Sequence, residues 1–385
     1  MVSDDSDLPE ITPEELLREL EGSGDLHVLD VRAPERLASG RVEPVPPERF
    51  HNVRGSQLLA MPEPFLEGVG TETPLVVICN RGIASREVTR HLLDHGFSVK
   101  SVRGGMARWM ETLVERRLDA PEGLDHLLQF DRIGKGSLSY LLVSDGEALI
   151  IDPPRVAISI LERAAQLGAK VVAVADTHAH ADYISGGVGL SRGLGIPYYL
   201  HPLDAIYPFD GTKGSLEFEP VFEGVGIELG RTTLDVVHTP GHTDGSVTYM
   251  VERKATFTGD FLFVASVGRP DLGGQVEAWT QKLWRSLELA REAWPESAAI
   301  YPAHYASESE RREDKSVGGT FGTLQKKNEP LSMTDAEEFI EWVQCRQTTF
   351  PEAYKRIKAV NVGLVEVNEE EATELEIGKN KCAAG

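Results

Sequence analysis

The densest group of chemically active side chains lies at residues 176–183, which read Asp-Thr-His-Ala-His-Ala-Asp-Tyr. This segment follows residues 171–175, an apolar, β-branched run that is typical of a buried strand. Side chains two positions apart in an extended backbone point to the same side, so His178, His180 and Asp182 can converge. Imidazole and carboxylate groups that converge at a strand end favour a metal site. A polar loop with two solvated histidines is the alternative interpretation.

Three further residues of metal-binding type occur in the same setting. Each directly follows an apolar segment that is predicted to be a strand, and they are His242, Asp260 and His304. One such strand end can arise by chance, but the chain has four of them in order. We therefore predict that the six side chains meet at one edge of a sheet.

The donor types alone leave the identity of the metal open between iron and zinc. Two histidines and one carboxylate with open positions form the facial triad of non-haem iron enzymes, and His178, His242 and Asp260 can make that set. A closed zinc site requires a fourth ligand, which His180 can supply.

A second reactive group is predicted earlier in the chain. Cys79 ends an apolar strand and precedes the loop Asn-Arg-Gly-Ile-Ala-Ser-Arg, which leads into a helix predicted at residues 86–95. Backbone N–H groups of such a loop and helix N-terminus can stabilise a thiolate, and Arg81 and Arg86 add positive charge. A thiolate in this position is a nucleophile for sulfur transfer. A buried core cysteine is the alternative.

Length and charge limit the functional classes. A chain of 385 residues predicts two or three domains, and 41% hydrophobic residues are enough for real cores. The formal net charge of −22 argues against nucleic acid and against an anionic membrane as partners. The first residues lack the features of a signal peptide, and no apolar run approaches a membrane span, so we expect a cytoplasmic enzyme. The sequence leaves open whether it forms a homo-oligomer.

The three cysteines are too few and too far apart for a disulfide framework or a structural zinc knuckle. Cys345 and Cys382 have no neighbouring histidine or basic cluster, so we interpret both as structural or incidental.

The order of elements predicts two different folds in one chain. Strand and helix signals alternate over residues 8–119, which predicts a parallel sheet with helices on both faces. A Pro- and Gly-containing linker is expected at residues 120–125. Short strands that begin at residue 126 favour an antiparallel meander. Residues 201–230 are rich in Gly, Pro and aromatic side chains, which can form a wall over the metal or serve as plain packing.

Residues 8–119 resemble a rhodanese domain. The resemblance is carried by Leu-Asp-Val-Arg at 29–32, by the loop Cys79-x-x-Gly82-x-x-Ser85, and by the segment 102–109. It implies that Cys79 carries a persulfide between a sulfur donor such as thiosulfate and an acceptor thiol. The family usually has an arginine five positions after the cysteine, where this chain has Ala84. Arg81 or Arg86 can take its place, so the preferred donor is open.

Residues 126–332 resemble the metallo-β-lactamase superfamily, and residues 333–385 then form a C-terminal extension of that domain. The resemblance implies a sandwich of two sheets with helices outside, an αββα architecture, and metal at the strand edge. The superfamily motif has a histidine directly after Asp182, where this chain has Tyr183. A second metal ion would keep Asp182 and His304 but lose an imidazole, so we predict one metal.

Within that superfamily, residues 177–182, 239–243 and 259–271 resemble persulfide dioxygenases. The resemblance implies a single Fe(II) held by His178, His242 and Asp260. It also implies that Arg269 anchors its loop or the substrate; a surface pair with Asp271 is the alternative. Tyr305 stands where that family often has an acidic residue, and we keep it as a candidate for substrate binding.

These features predict a fused enzyme of sulfur metabolism. It oxidises a low-molecular-weight thiol persulfide, such as glutathione persulfide, with O₂ to sulfite and thiol. It also transfers sulfane sulfur through Cys79. Two alternatives remain: a binuclear zinc thioester hydrolase of the glyoxalase II kind with an attached sulfur carrier, and a non-catalytic sulfur carrier or redox sensor with a vestigial metal site.

Overall fold

The computed structural model describes residues 8–22, 24–66, 68–347 and 349–383. The chain forms two compact units. The first comprises Met1–Val114, Arg132–Lys135 and Ile377–Lys379, and the remaining residues form the second. Within the described ranges, no helix has the length and apolar character needed to cross a membrane.

The first unit is built on a parallel sheet. Its strands are β1 (Glu10–Ile11), β2 (His27–Asp30), β3 (Phe50–Asn52), β4 (Leu75–Ile78) and β5 (Val99–Val102). They lie in the order β1–β5–β4–β2–β3, and each neighbouring pair is parallel. This arrangement confirms the α/β class predicted from the alternation of strands and helices.

Helices cover both faces of this sheet. They are α1 (Pro13–Glu21), α2 (Gly55–Ala60), α3 (Ile83–Asp94) and α4 (Gly105–Glu111). Because neighbouring strand residues point to opposite faces, Val28 packs with α1 and α4, and Leu29 packs with α2 and α3. Helix α3 begins at Ile83, three residues before the predicted start. Gly82 takes a left-handed φ of 81°, which lets the helix follow the cysteine loop at once.

The second unit is a sandwich of two sheets. The first sheet runs β12–β11–β10–β9–β8–β7–β6 and the second β13–β14–β15–β16–β17–β18. The bounds of the strands are β6 (Leu113–Leu118), β7 (His126–Arg132), β8 (Ser137–Ser144), β9 (Glu147–Ile151), β10 (Lys170–Ala175), β11 (Tyr198–Leu200), β12 (Glu219–Pro220), β13 (Ile227–Leu229), β14 (Thr232–His238), β15 (Val247–Val251), β16 (Ala255–Gly259), β17 (Ala299–Pro302) and β18 (Gly319–Thr320). The pair β8–β9 is antiparallel as expected, whereas β9–β10 and β10–β11 are parallel.

The core of the sandwich lies between the two sheets, where Tyr140 of β8 packs against Phe257 of β16 with ring centroids 4.9 Å apart. The outer helices are α5 (Ile158–Gln166), α6 (Gly187–Leu194), α7 (Val276–Ala293), α8 (Phe321–Lys327), α9 (Glu329–Ser332), α10 (Ala336–Cys345), α11 (Ala353–Asn361) and α12 (Glu369–Leu375). Helices α5 and α6 contact β10, and α7 buries Leu283 and Leu287 against the second sheet. The predicted αββα architecture is therefore confirmed.

Candidate metal centre and cysteine loop

Four strand ends bring the candidate ligands to one edge of the sandwich. His178 follows β10, His242 follows β14, Asp260 follows β16 and His304 follows β17. The donor atoms of His178, His242 and Asp260 all lie within 4.8 Å of one another, and the three side chains are buried. Oδ2 of Asp260 lies 3.5 Å from Nε2 of His178 and 3.4 Å from Nε2 of His242.

These three residues fit a metal ion. Nε2 of His178, Nε2 of His242 and Oδ2 of Asp260 are buried atoms without a hydrogen-bond partner. Three unsatisfied polar atoms at one point are costly in a folded protein. A cation bonded to all three at about 2.1 Å would satisfy them, and the 3.4 and 3.5 Å separations suit such bonds.

Neighbouring groups turn the imidazoles toward the centre. Nδ1 of His178 lies 3.0 Å from Oγ1 of Thr177, and Nδ1 of His242 lies 3.0 Å from the carbonyl oxygen of Arg269. Each contact leaves Nε2 as the metal-binding nitrogen. Burial also lowers the pKa of both histidines, that of His242 to about 4, so both stay neutral and able to bind metal.

His180 is held differently. Its Nε2 lies 2.8 Å from the hydroxyl of Tyr183 and 3.2 Å from Oδ1 of Asp152, whereas its Nδ1 is buried and has no hydrogen-bond partner. The donor atoms of His180 group instead with those of Asp152 and Asp176, all within 4.8 Å of one another. Tyr183 stands where the superfamily motif has a histidine. Its hydroxyl contacts His180 and orients that imidazole.

His304 lies between two carboxylates. Its Nδ1 is 2.6 Å from Oδ1 of Asp260, and its Nε2 is 3.1 Å from Oδ2 of Asp182. Burial alone would lower the pKa of His304, but the charges of Asp182 and Asp260 outweigh it and raise the pKa to about 10. Conversely, burial opposes ionisation of Asp260, yet the positive charge of His304 outweighs burial and holds the pKa of Asp260 well below the usual range.

A residue that we interpreted as structural or incidental lies beside this pair. Cys382 is fully buried, and its donor atom lies within 4.8 Å of those of Asp182 and His304. The backbone N–H of Arg269 donates to the carbonyl of Cys382 at 2.8 Å, and this contact anchors the tail. Because Cys382 lies 78 positions after His304, no local spacing predicts its place in the site.

Helix α11 supports the ligand loop from one face. Nζ of Lys358 donates to the carbonyl of Ala179 at 3.0 Å. Nδ2 of Asn361 donates to the carbonyls of His180 and Tyr183 at 2.9 and 2.8 Å. Sequence reasoning missed both side chains. Their spacing of three residues places two polar groups on one helix face, which is the only signal of their role.

The two substrate-binding candidates have other partners. The guanidinium of Arg269 donates to both carboxylate oxygens of Asp271 at 2.6 Å, and its carbonyl, not its side chain, contacts His242. The hydroxyl of Tyr305 donates to Oδ1 of Asp131 at 3.0 Å. Both side chains are buried. Arg269 thus makes the pair with Asp271 that was the alternative interpretation, but the pair is buried and not at the surface.

The first unit places Cys79 directly after β4. Its Sγ accepts a hydrogen bond from the backbone N–H of Gly82 at 3.2 Å and lies 3.3 Å from Oγ of Ser85. Ser101 in turn donates to Ser85 at 3.0 Å. The backbone amide and the hydroxyl can stabilise negative charge on sulfur.

The arginines around this loop differ in their surroundings. Nη1 of Arg86 donates to Oε1 of Glu10 at 2.6 Å, an ion pair with β1 that the sequence did not indicate. Arg81 is exposed, and so is Ala84 in the first turn of α3.

Comparison with known families agrees with both folds. Residues 132–312 match the metallo-β-lactamase superfamily, and residues 12–112 match the rhodanese-like domain. The fold and the site thus define a metal-binding αββα protein with a sulfurtransferase-like domain before it. The chain belongs to the metallo-β-lactamase superfamily and carries a rhodanese-like domain.

The individual relatives in sequence comparisons each match less than half of this chain. The probable metallo-hydrolase YqgX of Bacillus subtilis (strain 168) is 33% identical over 180 residues, which are 43% of this chain and 83% of that protein. The mitochondrial persulfide dioxygenase ETHE1 of Homo sapiens is 34% identical over 164 residues, which are 41% of this chain and 59% of that protein. The crystal structure of ETHE1 from Myxococcus xanthus has a TM-score of 0.51 and 22% identity, and the alignment covers 65% of this chain and 98% of that one; this likeness concerns the fold.

Proposed function

We propose that the protein is a persulfide dioxygenase with a rhodanese-type sulfurtransferase domain. One observation carries the proposal: Nε2 of His178, Nε2 of His242 and Oδ2 of Asp260 are buried together without partners. Two imidazoles and a carboxylate form the facial triad of iron oxygenases. The identity of 34% with a persulfide dioxygenase over 164 residues and the presence of a rhodanese-like domain support sulfur metabolism as the context.

The proposed reaction is R–S–SH + O₂ + H₂O → R–SH + SO₃²⁻ + 2H⁺, where R–SH is a small thiol such as glutathione. One Fe(II) per chain, held by the triad, would supply the activation of oxygen. The protein orients the triad through Thr177 and through the carbonyl of Arg269.

The proposal of a single metal rests on His304. Both of its nitrogens face carboxylates, so neither offers a lone pair while the imidazole is protonated. Tyr183 contributes a hydroxyl to His180 and not an imidazole to a second ion. These contacts support one metal, which leaves coordination positions open for small reactants.

Cys79 is proposed to exchange sulfane sulfur in two balanced steps. In the first, Cys79–S⁻ + S₂O₃²⁻ → Cys79–S–S⁻ + SO₃²⁻; in the second, Cys79–S–S⁻ + R–S⁻ → Cys79–S⁻ + R–S–S⁻. The N–H of Gly82 and the hydroxyl of Ser85 stabilise the anionic sulfur. Because a persulfide and sulfite occur in both reactions, fusion raises the local concentration of a shared reactant. Residues 8–119 are proposed as the sulfurtransferase domain, residues 126–332 with their extension to 385 as the dioxygenase.

The test is persulfide-dependent oxygen consumption. Wild-type protein purified without oxygen should consume one O₂ per sulfite formed from glutathione persulfide. His178→Ala should abolish the reaction, whereas His126→Ala, a matched change of a histidine at the start of β7, should not. Equal activity of wild type and His178→Ala would refute the assignment of the triad.

A second candidate function is a binuclear zinc thioester hydrolase. Two observations favour it: the partnerless Nδ1 of His180 and the cluster of Asp182, His304 and Cys382, which offers a second set of donors. Two zinc ions per chain, turnover of a glutathione thioester and no oxygen uptake would establish this function in place of the dioxygenase.

A further inference from the structure

Asp204 is a buried carboxylate outside the set of candidate ligands. It is 3% exposed and lies in the short 3₁₀ segment Pro202–Ala205, which follows β11. This segment belongs to residues 201–230, for which a wall over the metal and plain packing were the two interpretations. Strands β10 and β11 are parallel neighbours, so the segments that follow them meet at the same edge of the sheet. Asp204 therefore lies beside the loop that carries His178.

Three hydrogen-bond donors converge on this carboxylate. Its Oδ2 accepts from the backbone N–H of Ala179 at 2.6 Å and from the hydroxyl of Thr243 at 2.9 Å. Its Oδ1 accepts from the backbone N–H of Gly245 at 2.8 Å. Hydrogen bonds to an ionised carboxylate are roughly twice as strong as bonds between neutral groups. Asp204 therefore holds all three partners firmly.

The three donors come from two different ligand loops. Ala179 directly follows His178, in the loop after β10 of the first sheet, whereas Thr243 directly follows His242, in the loop after β14 of the second sheet. A single side chain, that of Asp204, thus joins the two loops from which both imidazoles of the triad project. The distance between these loops sets the distance between the imidazoles.

The packing at Gly245 shows how closely the second loop approaches. A Cβ atom at this position would lie 2.6 Å from Oδ1 and 2.8 Å from Cγ of Asp204. Such separations are shorter than van der Waals contact, so glycine is the residue whose N–H can reach the carboxylate here. The residue types at positions 204 and 245 therefore depend on each other, although 41 positions separate them.

Lys358 holds the second backbone polar group of Ala179. Its Nζ donates to the carbonyl of Ala179 at 3.0 Å, while Asp204 accepts from the N–H. Burial lowers the pKa of Lys358, and the charge of Asp204 is the largest of those that oppose this shift. The two charges are therefore complementary, and together they fix the backbone on both sides of Ala179, between His178 and His180.

We propose that Asp204 is a positioning residue of the metal centre. It ties the loop of His178 to the loop of His242 and thereby fixes the separation of the two Nε2 atoms that face Asp260. In this role Asp204 acts through the backbone of the two loops and not as a ligand. The inference rests on the proposed metal triad, but it holds for any divalent ion there, so metal binding tests it and not oxygen uptake.

The first experiment uses Asp204→Asn, which keeps the size of the side chain. Each oxygen of Asp204 accepts from a backbone N–H, so the amide nitrogen of asparagine must face an N–H group whichever way it turns. Metal-free protein is titrated with Co(II) without oxygen, and visible absorption reports both the affinity and the coordination geometry. We expect the affinity to fall about 10- to 100-fold, with a changed Co(II) spectrum. Asp210→Asn, at an exposed aspartate of the same region, is the matched control and should bind as wild type does.

The second experiment removes one of the three bonds and leaves the carboxylate in place. Thr243→Val loses the hydroxyl that donates to Asp204, whereas Thr243→Ser keeps it. We expect Thr243→Val to lower Co(II) affinity about 10-fold and Thr243→Ser to stay within about 2-fold of wild type. This milder pair decides the question if Asp204→Asn does not fold.

Two results would overturn the inference. The first is an Asp204→Asn protein that unfolds more easily but binds Co(II) with the affinity and spectrum of wild type, since Asp204 would then support only the fold. The second is equal affinity of Thr243→Val and Thr243→Ser where Asp204→Asn does not fold. Wild-type protein that binds Co(II) but consumes no oxygen with a persulfide would refute the dioxygenase alone, because loss of Co(II) affinity in Asp204→Asn would still establish the positioning role.

Discussion

Nδ1 of His304 lies 2.6 Å from Oδ1 of Asp260. Asp260 therefore uses one oxygen to hold His304 and keeps the other, Oδ2, directed at His178 and His242. This division of one carboxylate couples the metal triad to the pair of His304 and Asp182. It leaves three of the six candidate ligands for the single ion that we propose.

The first prediction concerns the charge of Asp260. Asp260→Asn keeps the shape of the side chain but removes the negative charge that balances a divalent ion. We expect metal affinity to fall by at least about 100-fold, with oxygen uptake lost in parallel. Asp235→Asn on the exposed side of β14 is the control. Metal content measured after dialysis checks the result, and full occupancy of Asp260→Asn would count against the triad.

The second prediction concerns pH. A histidine binds metal only when it is neutral, and burial lowers the pKa of His242 to about 4. Because the pKa is lowered, the neutral form persists below the ordinary histidine pKa of about 6.5. We expect metal to be retained at about pH 5.5, one unit below that value, and to be released as the pH nears 4. Metal content across this range is the measurement, and release centred near pH 6.5 would contradict it.

The third prediction separates the two reactive centres. Cys79→Ser should abolish transfer of sulfur from thiosulfate, because a hydroxyl cannot carry the persulfide. It should leave oxygen uptake with added persulfide unchanged. Cys345→Ser, at an exposed cysteine, is the matched control and should affect neither reaction. Loss of both activities in Cys79→Ser would mean that the centres are obligately coupled.

The fourth prediction concerns the support of the ligand loop. Asn361 donates to the carbonyls of His180 and Tyr183 and accepts from the N–H of Ser185. Asn361→Ala should lower the free energy of unfolding by about 1–3 kcal/mol, because it leaves part-buried backbone groups unpaired. Chemical denaturation measures the effect, with Gln344→Ala at an exposed amide of α10 as control. An unchanged stability would refute this role.

The fifth prediction concerns the missing arginine of the cysteine loop. Ala84 is exposed in the first turn of α3, so an arginine fits there without clashes. Ala84→Arg should raise kcat/KM for thiosulfate on the order of 10-fold, because it adds positive charge where the anionic donor arrives. Steady-state assays check this, and a decrease would show that Arg81 already occupies the position.

The sequence allowed prediction of the features that depend on local pattern. Apolar runs followed by His178, His242 and Asp260 predicted strands with ligands at their ends, and the structure brings those three donors together. Alternating strands and helices predicted the parallel sheet of the first unit. Both follow from periodicity and strand-end geometry, which neighbouring residues determine.

Features that depend on tertiary contacts were not predicted. Cys382 and Lys358 reach the site through the packing of the tail and of α11, and no spacing along the chain determines that packing. Arg269 orients His242 through its backbone carbonyl group. Every residue carries this group, so the residue type gave no sign of the contact. Tyr183 was recognised as a departure from the family motif, but its contact with His180 required coordinates.

The most direct measurement is elemental analysis of freshly purified, oxygen-free protein, combined with oxygen uptake on the same sample. The account predicts one iron per chain and uptake that starts when glutathione persulfide is added. Two zinc ions per chain with no uptake would contradict it.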